Sequence, residues 1–162
     1  MKCKWVRHTW AKLPNNKKWA DMDWTKKTHK QSQVPTLQMK MTKLLIDSLM
    51  KVLTLDTNRF YVTGLSMGGY GTYDFCARYG KNVAAAMPVC GGYDTSTVNA
   101  FKKIPFRIYH GAIDNVVPVE NSRLMVKAMK KKKITVTYIE LPKVKHGAWL
   151  DAYKSADVLQ WM

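Results

Sequence analysis

Apolar residues at positions 37, 41, 44, 45, 49, 52 and 53 recur every three or four residues, which fits one face of a helix over 36–53. Pro35 stops the helix from starting earlier, and Thr36 directly after it is a capping residue. The pattern then changes period. A polar turn, TLDTN, gives way to RFYVTG (59–64), a β-branched and aromatic strand. MGGYGTYDFCARYG (67–80) returns to helical spacing, with Gly80 expected in the left-handed position that ends many helices. VAAAMPVCGG (83–92) and PFRIYHG (105–111) are apolar runs of strand length. VENSRLMVKAMKKK (119–132) is an amphipathic helix, and TVTYIELP (135–142) is a further strand. Residues 148–162, with Trp149, Tyr153, Val158 and Trp161, predict a final helix. Two stretches carry no clear period. In 93–104 the helical spacing is weak. In 1–35, Trp5, Trp10, Trp19 and Trp24 are scattered among Lys, Asn and Thr, with Pro14 and Pro35 as breakers.

Helices between strands imply parallel pairing through crossovers. The expected fold is therefore α/β, a mainly parallel sheet of about four strands flanked by helices. No linker or repeat divides the chain. Its 162 residues are expected to form one domain, an irregular segment 1–35 followed by a core at 36–162.

Such sheets carry their chemistry at the carboxyl ends of the strands. There GLSMG (64–68) sets Ser66 between two glycines where a strand hands over to a helix, the G-x-S-x-G pattern of a nucleophile elbow. Side chains at 64 and 68 are expected to collide in so tight a turn, and the serine to be held in strained backbone with its hydroxyl exposed. A serine hydroxyl needs a histidine to take its proton and a carboxylate to orient that histidine, in the chain order Ser, acid, His. His8 and His29 precede Ser66. His110 follows it, but Asp74 lies inside the elbow helix and Asp94 in the loop after the second strand. His146, in KVKHGAW after the last strand, fits as the base. Asp114, in RIYHGAIDNVVP just beyond the third strand, then fits as the acid, with Asp94 the alternative. The backbone N–H of Met67, at the positive end of the elbow helix, is the natural first oxyanion donor.

Charge changes this picture little. The formal net charge of +16 suits polyanions, but no Arg–aromatic interleaving, zinc-finger spacing or RNP-like strand points to a specific nucleic-acid partner. Weak, salt-sensitive polyanion binding is the expectation. Lys130–Lys133 close a helical pattern, where cations suit the helix dipole. Cys3, Cys76 and Cys90, odd in number and irregularly spaced, make no disulfide framework and are expected to be reduced core residues. No run of about eighteen apolar residues predicts a membrane span. The basic N-terminal stretch lacks the apolar core of a secretory signal, so the expected location is cytoplasmic. No metal-ligand cluster or phosphate-cradling loop stands out, and no cofactor is implied.

Three segments, NRFYVTGLSMGGYGTYDFCARYGKNVAAAMPVCGG, IPFRIYHGAIDNVVPVENSRLMVKAMK and HGAWLDAY with VLQWM, together resemble the α/β-hydrolase esterases of the phospholipase/carboxylesterase group. That group includes predicted peptidases, polyhydroxybutyrate-depolymerase-like proteins and feruloyl esterases. The resemblance covers about 36–162 and implies a Ser66–Asp114–His146 triad cleaving small-molecule esters, short-chain or aryl. It also implies a reduced α/β-hydrolase fold. The family carries several more strands before the 36–53 helix, one of them followed by a loop that donates a second oxyanion N–H. Three functions follow: a serine carboxylesterase; a weakly active remnant whose basic surface binds anionic polymers; and a peptidase, disfavoured by the higher barrier of the peptide bond. With strand 59–64 left at a sheet edge and apolar positions of the 36–53 helix uncovered, a homodimer or higher homo-oligomer is expected.

Overall fold

The computed structural model describes residues 29–162. The readings of Cys3, His8 and the four early tryptophans lie outside the described residues. α1 (Leu37–Val52) leads into β1 (Tyr61–Leu65) and α2 (Met67–Tyr79). Then come β2 (Ala85–Val89), β3 (Phe106–Gly111), α3 (Glu120–Lys131) and β4 (Val136–Leu141), followed by α4 (Trp149–Lys154) and α5 (Ala156–Trp161). All strand pairs are parallel, and their order across the sheet is their order in the chain, β1-β2-β3-β4. Among the described residues β1 therefore lies at one edge, paired with β2 alone from Tyr61 opposite Ala85 to Leu65 opposite Val89.

The period-two alternation of the strands splits the core between the two sheet faces. Ala86 of β2 and Phe106 and Ile108 of β3 join Tyr73, Phe75 and Cys76 of α2 and Met125, Val126 and Met129 of α3 in one cluster. Met87 and Val89 of β2 and Tyr109 of β3 turn the other way, against Ala152 of α4 and Val158 of α5. Every residue of β2 is buried, which is why its sequence is a continuous apolar run. Cys76 and Cys90 are free and buried, and burial pushes both thiols up to about 12. α1 is different. Thr36 caps it by accepting from the Met39 N–H, yet Met39 is its one buried residue, and Leu44 and Leu45 are each 60% exposed. No helix of the described residues is long and apolar enough to cross a membrane.

Three local expectations need correction or refinement. Gly80 is not left-handed: its φ of −67° is helical, and the chain runs on through a 3₁₀ turn, Gly80–Asn82. An added Cβ there would come 2.7 Å from Ile104 Cδ1, the end of a side chain that would have to move. The segment 93–104 is a 3₁₀ helix over Thr95–Phe101, capped by Asp94, with Val98 and Phe101 buried. Two anchors three residues apart match the 3₁₀ period and give too short a pattern to recognise in advance. The final helix is broken at Ser155, whose backbone is extended, so that Ala152 and Val158 both reach the second cluster. The left-handed helix ending is found instead after α3, where Lys133 has φ 57°. Around it the Lys133 N–H donates to Lys130 O and the Ile134 N–H to Met129 O, each at 3.0 Å, and Ile134 and Met129 share the first cluster. This is a Schellman ending with lysine where glycine fits best. Lys133→Gly is expected to raise unfolding stability by about 1 kcal/mol, the left-handed penalty outweighing glycine's extra freedom in the unfolded chain. Urea denaturation checks it, and a destabilised variant would contradict it.

Candidate active site

β1 ends at Leu65, and the chain reverses at Ser66 into the first turn of α2. Ser66 sits at φ 54°, ψ −116°, a region L-residues rarely enter. It is pinned there from both sides: its N–H donates to Val89 O at 2.8 Å, and its carbonyl accepts from the Tyr70 N–H at 3.2 Å. The glycines around it divide the steric work unequally. A Cβ on Gly64 would overlap the backbone of Gly68, whereas a Cβ on Gly68 would meet nothing within 4 Å. The expectation that both positions exclude a side chain is thus corrected: Gly64 does so, while Gly68 only offers its backbone to Gly64. The next contact is made by Gly69, where an added Cβ would come 2.6 Å from Val89 O. That close approach seats α2 on the end of β2.

Asp114 lies in the loop after β3, its side chain fully buried. Oδ1 accepts from the N–H groups of Val116 and Val117, each at 2.9 Å. Oδ2 lies 2.7 Å from His146 Nδ1 and 3.3 Å from His110 Nε2. Burial pushes this carboxyl up, but the donors from His110, His146, Val117 and Val116 outweigh it and hold it well below the ordinary carboxylate range. His146 follows β4 in a loop drawn against the end of β3. There Ala112 N–H donates to Leu141 O at 2.9 Å and Ile113 N–H to Val144 O at 3.2 Å. Gly111 makes the approach possible, since an added Cβ would overlap the carbonyls of Val144 and Lys145. The imidazole packs edge-on to Trp149 at 5.3 Å. Its Nδ1 faces a carboxylate, which can only accept, so Nδ1 carries the proton. Nε2 then presents its lone pair to Ser66 Oγ, 3.0 Å away.

Ser66, His146 and Asp114 therefore form one hydrogen-bonded line, delivered by the ends of β1, β4 and β3. The arrangement can take a proton from a serine hydroxyl and hold the resulting imidazolium against a carboxylate. Met67 is the first residue of α2, so its N–H is one of the four that have no acceptor within the helix. Asp94, the alternative acid, is occupied elsewhere: it accepts from Ser96 N–H and Gln31 N–H, each at 2.9 Å. His29 packs edge-on against Tyr70 at 4.9 Å. Cys90, His110 and Asp114 bring possible metal-ligand atoms within 4.8 Å of one another. Both histidine nitrogens and both carboxylate oxygens are already engaged in hydrogen bonds, and burial disfavours the Cys90 thiolate, so the trio is a hydrogen-bonded cluster rather than a prepared ligand set. A cleft of about 510 Å³ follows the edge that β1 leaves unpaired among the described residues, walled by Met39, Thr42 and Ile46 of α1 and by Met67, Gly68 and Thr72 of α2. Sequence reasoning missed the contact of His110 with Asp114 and the tie of Ser122 to His110. The HG pair four residues before Asp114 was the available signal for the first.

A profile described as the dienelactone hydrolase family matches residues 13–157. A bifunctional acetylxylan esterase/xylanase of Neocallimastix patriciarum is 33% identical over 73 residues, which cover 45% of this chain and 11% of that protein. Among solved structures, a thermostable esterase is 37% identical with a TM-score of 0.75, over 78% of this chain and 36% of that one. The acylaminoacyl peptidase of Pyrococcus horikoshii shares the fold at 16% identity and TM-score 0.60, over 75% of this chain and 25% of that one. The chain thus spans well under half the length of these proteins.

The unequal glycines generate a direct test. Gly64→Ala is expected to cost about 1–3 kcal/mol from forced overlap. Gly68→Ala is expected to be neutral or stabilising by up to about 1 kcal/mol, as alanine suits a helix. Chemical denaturation of both variants measures this, and equal losses would contradict it.

Proposed function

Because the chain belongs to the dienelactone hydrolase family, we propose that it is a serine carboxylesterase acting on short-chain or aryl carboxylic esters. The observation that carries the proposal is the hydrogen-bonded line from Ser66 Oγ through His146 to Asp114 Oδ2. In the first half-reaction His146 Nε2 takes the hydroxyl proton as Ser66 Oγ attacks the ester carbonyl carbon. The Met67 N–H donates to the oxyanion of the tetrahedral intermediate. Collapse expels the alcohol, which leaves with the proton from His146, and an acyl-Ser66 ester remains. Water, giving a proton to His146 Nε2, then attacks that ester, and collapse of the second tetrahedral intermediate releases the carboxylic acid as His146 returns the proton to Ser66 Oγ. Asp114 stays ionised throughout and stabilises the imidazolium in both halves. The relatives' names support ester substrates: an acetylxylan esterase and a thermostable esterase are among the similar proteins.

A second reading, a weakly active family member serving as a basic binding protein, is favoured by the net charge of +16 and by the single oxyanion donor that the described residues identify. Losing one such donor costs on the order of 10²–10³ in rate. In either reading we propose a homodimer formed through β1 and α1. Among the described residues β1 is an edge strand, and the exposed Leu44, Leu45, Leu49 and Val52 give α1 an apolar surface beside it.

Wild-type protein is expected to hydrolyse p-nitrophenyl esters from acetate to octanoate, Ser66→Ala to remove about 10⁴-fold or more of the rate, and His146→Ala to be as damaging. Asp114→Asn is expected to cost somewhat less. A fluorophosphonate should label Ser66, read by mass spectrometry of the peptide. An unlabelled Ser66, with Ser66→Ala as fast as wild type, would overturn the esterase reading. Light scattering coupled to size exclusion at micromolar concentration should show twice the 18.6 kDa chain mass. A monomer with concentration-independent activity would overturn the dimer.

A further inference from the structure

We propose that His110 is a positioning residue that holds the Asp114 carboxylate in the orientation His146 requires, and that Ser122 in turn fixes the His110 ring. The inference rests on the serine-hydrolase reading above for its consequence in catalysis, and on hydrogen-bond geometry alone for its structural content.

Asp114 is fastened through one oxygen. The Val116 and Val117 N–H groups both donate to Oδ1, and both belong to the same loop as Asp114, so these ties do not by themselves refer Oδ2 to the sheet. Oδ2, the oxygen that meets His146, needs a second reference point. His146 is a poor one, because it sits in a loop with its side chain 18% exposed and is itself the group being oriented. His110 is a better one. It lies on β3, one residue before the strand ends, and has no exposed surface. Its Nε2 stands 3.3 Å from Asp114 Oδ2 and 3.0 Å from Val117 O. Both are acceptors that cannot donate, so Nε2 carries a proton and shares it between them. Val117 thereby grips both partners, its N–H on Asp114 Oδ1 and its carbonyl on His110.

The ring is fixed from its other side. Nδ1 lies 2.7 Å from Ser122 Oγ, and Ser122, fully buried on α3, lies 2.9 Å from the Gly91 carbonyl beyond β2. A chain of polar contacts therefore runs from the end of β2 through α3 and β3 to the carboxylate, with the one Ser122 hydroxyl proton placed between His110 Nδ1 and the Gly91 carbonyl. It meets the catalytic line at Oδ2. Three rigid elements define where that oxygen points. A core histidine needed only for packing has no reason to aim a proton at the oxygen that orients the base.

The test compares His110→Leu, His110→Gln and Ser122→Ala in the wild-type and Asp114→Asn backgrounds, with urea unfolding to report which variants are folded. The glutamine amide nitrogen reaches about where Nε2 stands, so His110→Gln retains a donor that His110→Leu lacks. In the wild-type background His110→Leu is expected to lower kcat about 10–100-fold with KM unchanged, Ser122→Ala less, and His110→Gln to recover most of the loss. In the Asp114→Asn background His110→Leu should cost almost nothing more, because the group it acts through is gone. The readout independent of turnover is the far-downfield proton NMR signal of His146 Nδ1–H on Asp114, expected to weaken and shift in His110→Leu and to return in His110→Gln. Should His110→Leu fail to fold, Ser122→Ala carries the same comparison. An unmoved signal, or activity losses that simply add across the two backgrounds, would overturn the proposal. If the wild type shows no Ser66-dependent hydrolysis while the signal still depends on His110, the esterase reading fails and the positioning role stands.

Discussion

The reactive end of the molecule depends on one backbone contact, Gly64 lying against Gly68 across the turn that contains Ser66. No Cβ fits at Gly64 against the first turn of α2, and the serine between the two glycines sits at positive φ. Such a backbone costs about 1–3 kcal/mol and persists only where its surroundings over-determine it. Here they do. α2 buries Tyr73, Phe75 and Cys76 on the sheet, and Gly69 brings the same helix onto the carbonyl of Val89. The core thus fixes the direction of α2, the contact fixes the turn, and the turn fixes the hydroxyl.

Opposite the serine, the geometry is set by charge rather than by shape. Asp114 is buried, which by itself would favour a neutral acid, yet four donors converge on its two oxygens and keep it ionised. An ionised carboxylate at that place decides the tautomer of His146 and therefore which nitrogen faces Ser66. The polar groups at this end are buried and satisfied together. Removing one leaves the others unpaired in a medium of low dielectric, so the cluster behaves as a unit.

Much of this was legible in the chain. The four strands stand out because β2 and β3 are buried on both faces and so are apolar almost throughout. The three side chains that line up were identifiable from their order after successive strands, since a parallel sheet brings those ends together. The illegible features share a cause. Lys133 occupies a left-handed position without the glycine that marks one, and Gly80 is a glycine whose backbone is helical. The break at Ser155 serves packing on a distant face, and the ties of His110 and Ser122 join elements that no local pattern relates. Sequence periodicity reports what each element needs by itself; contacts that one element makes for another leave no period.

The strand order has a consequence for how the protein comes into being. Because β1, β2, β3 and β4 add to the sheet in the order in which they are synthesised, each new strand finds its partner already made and no later segment has to insert between earlier ones. The order permits each strand to pair without displacing an earlier one. Ser66 nevertheless precedes its partner His146 by 80 residues, and its own N–H is held by the Val89 carbonyl of β2. The turn that holds the hydroxyl is therefore completed by the first two strands of the described sheet, while the imidazole that meets it is delivered by the loop after the last.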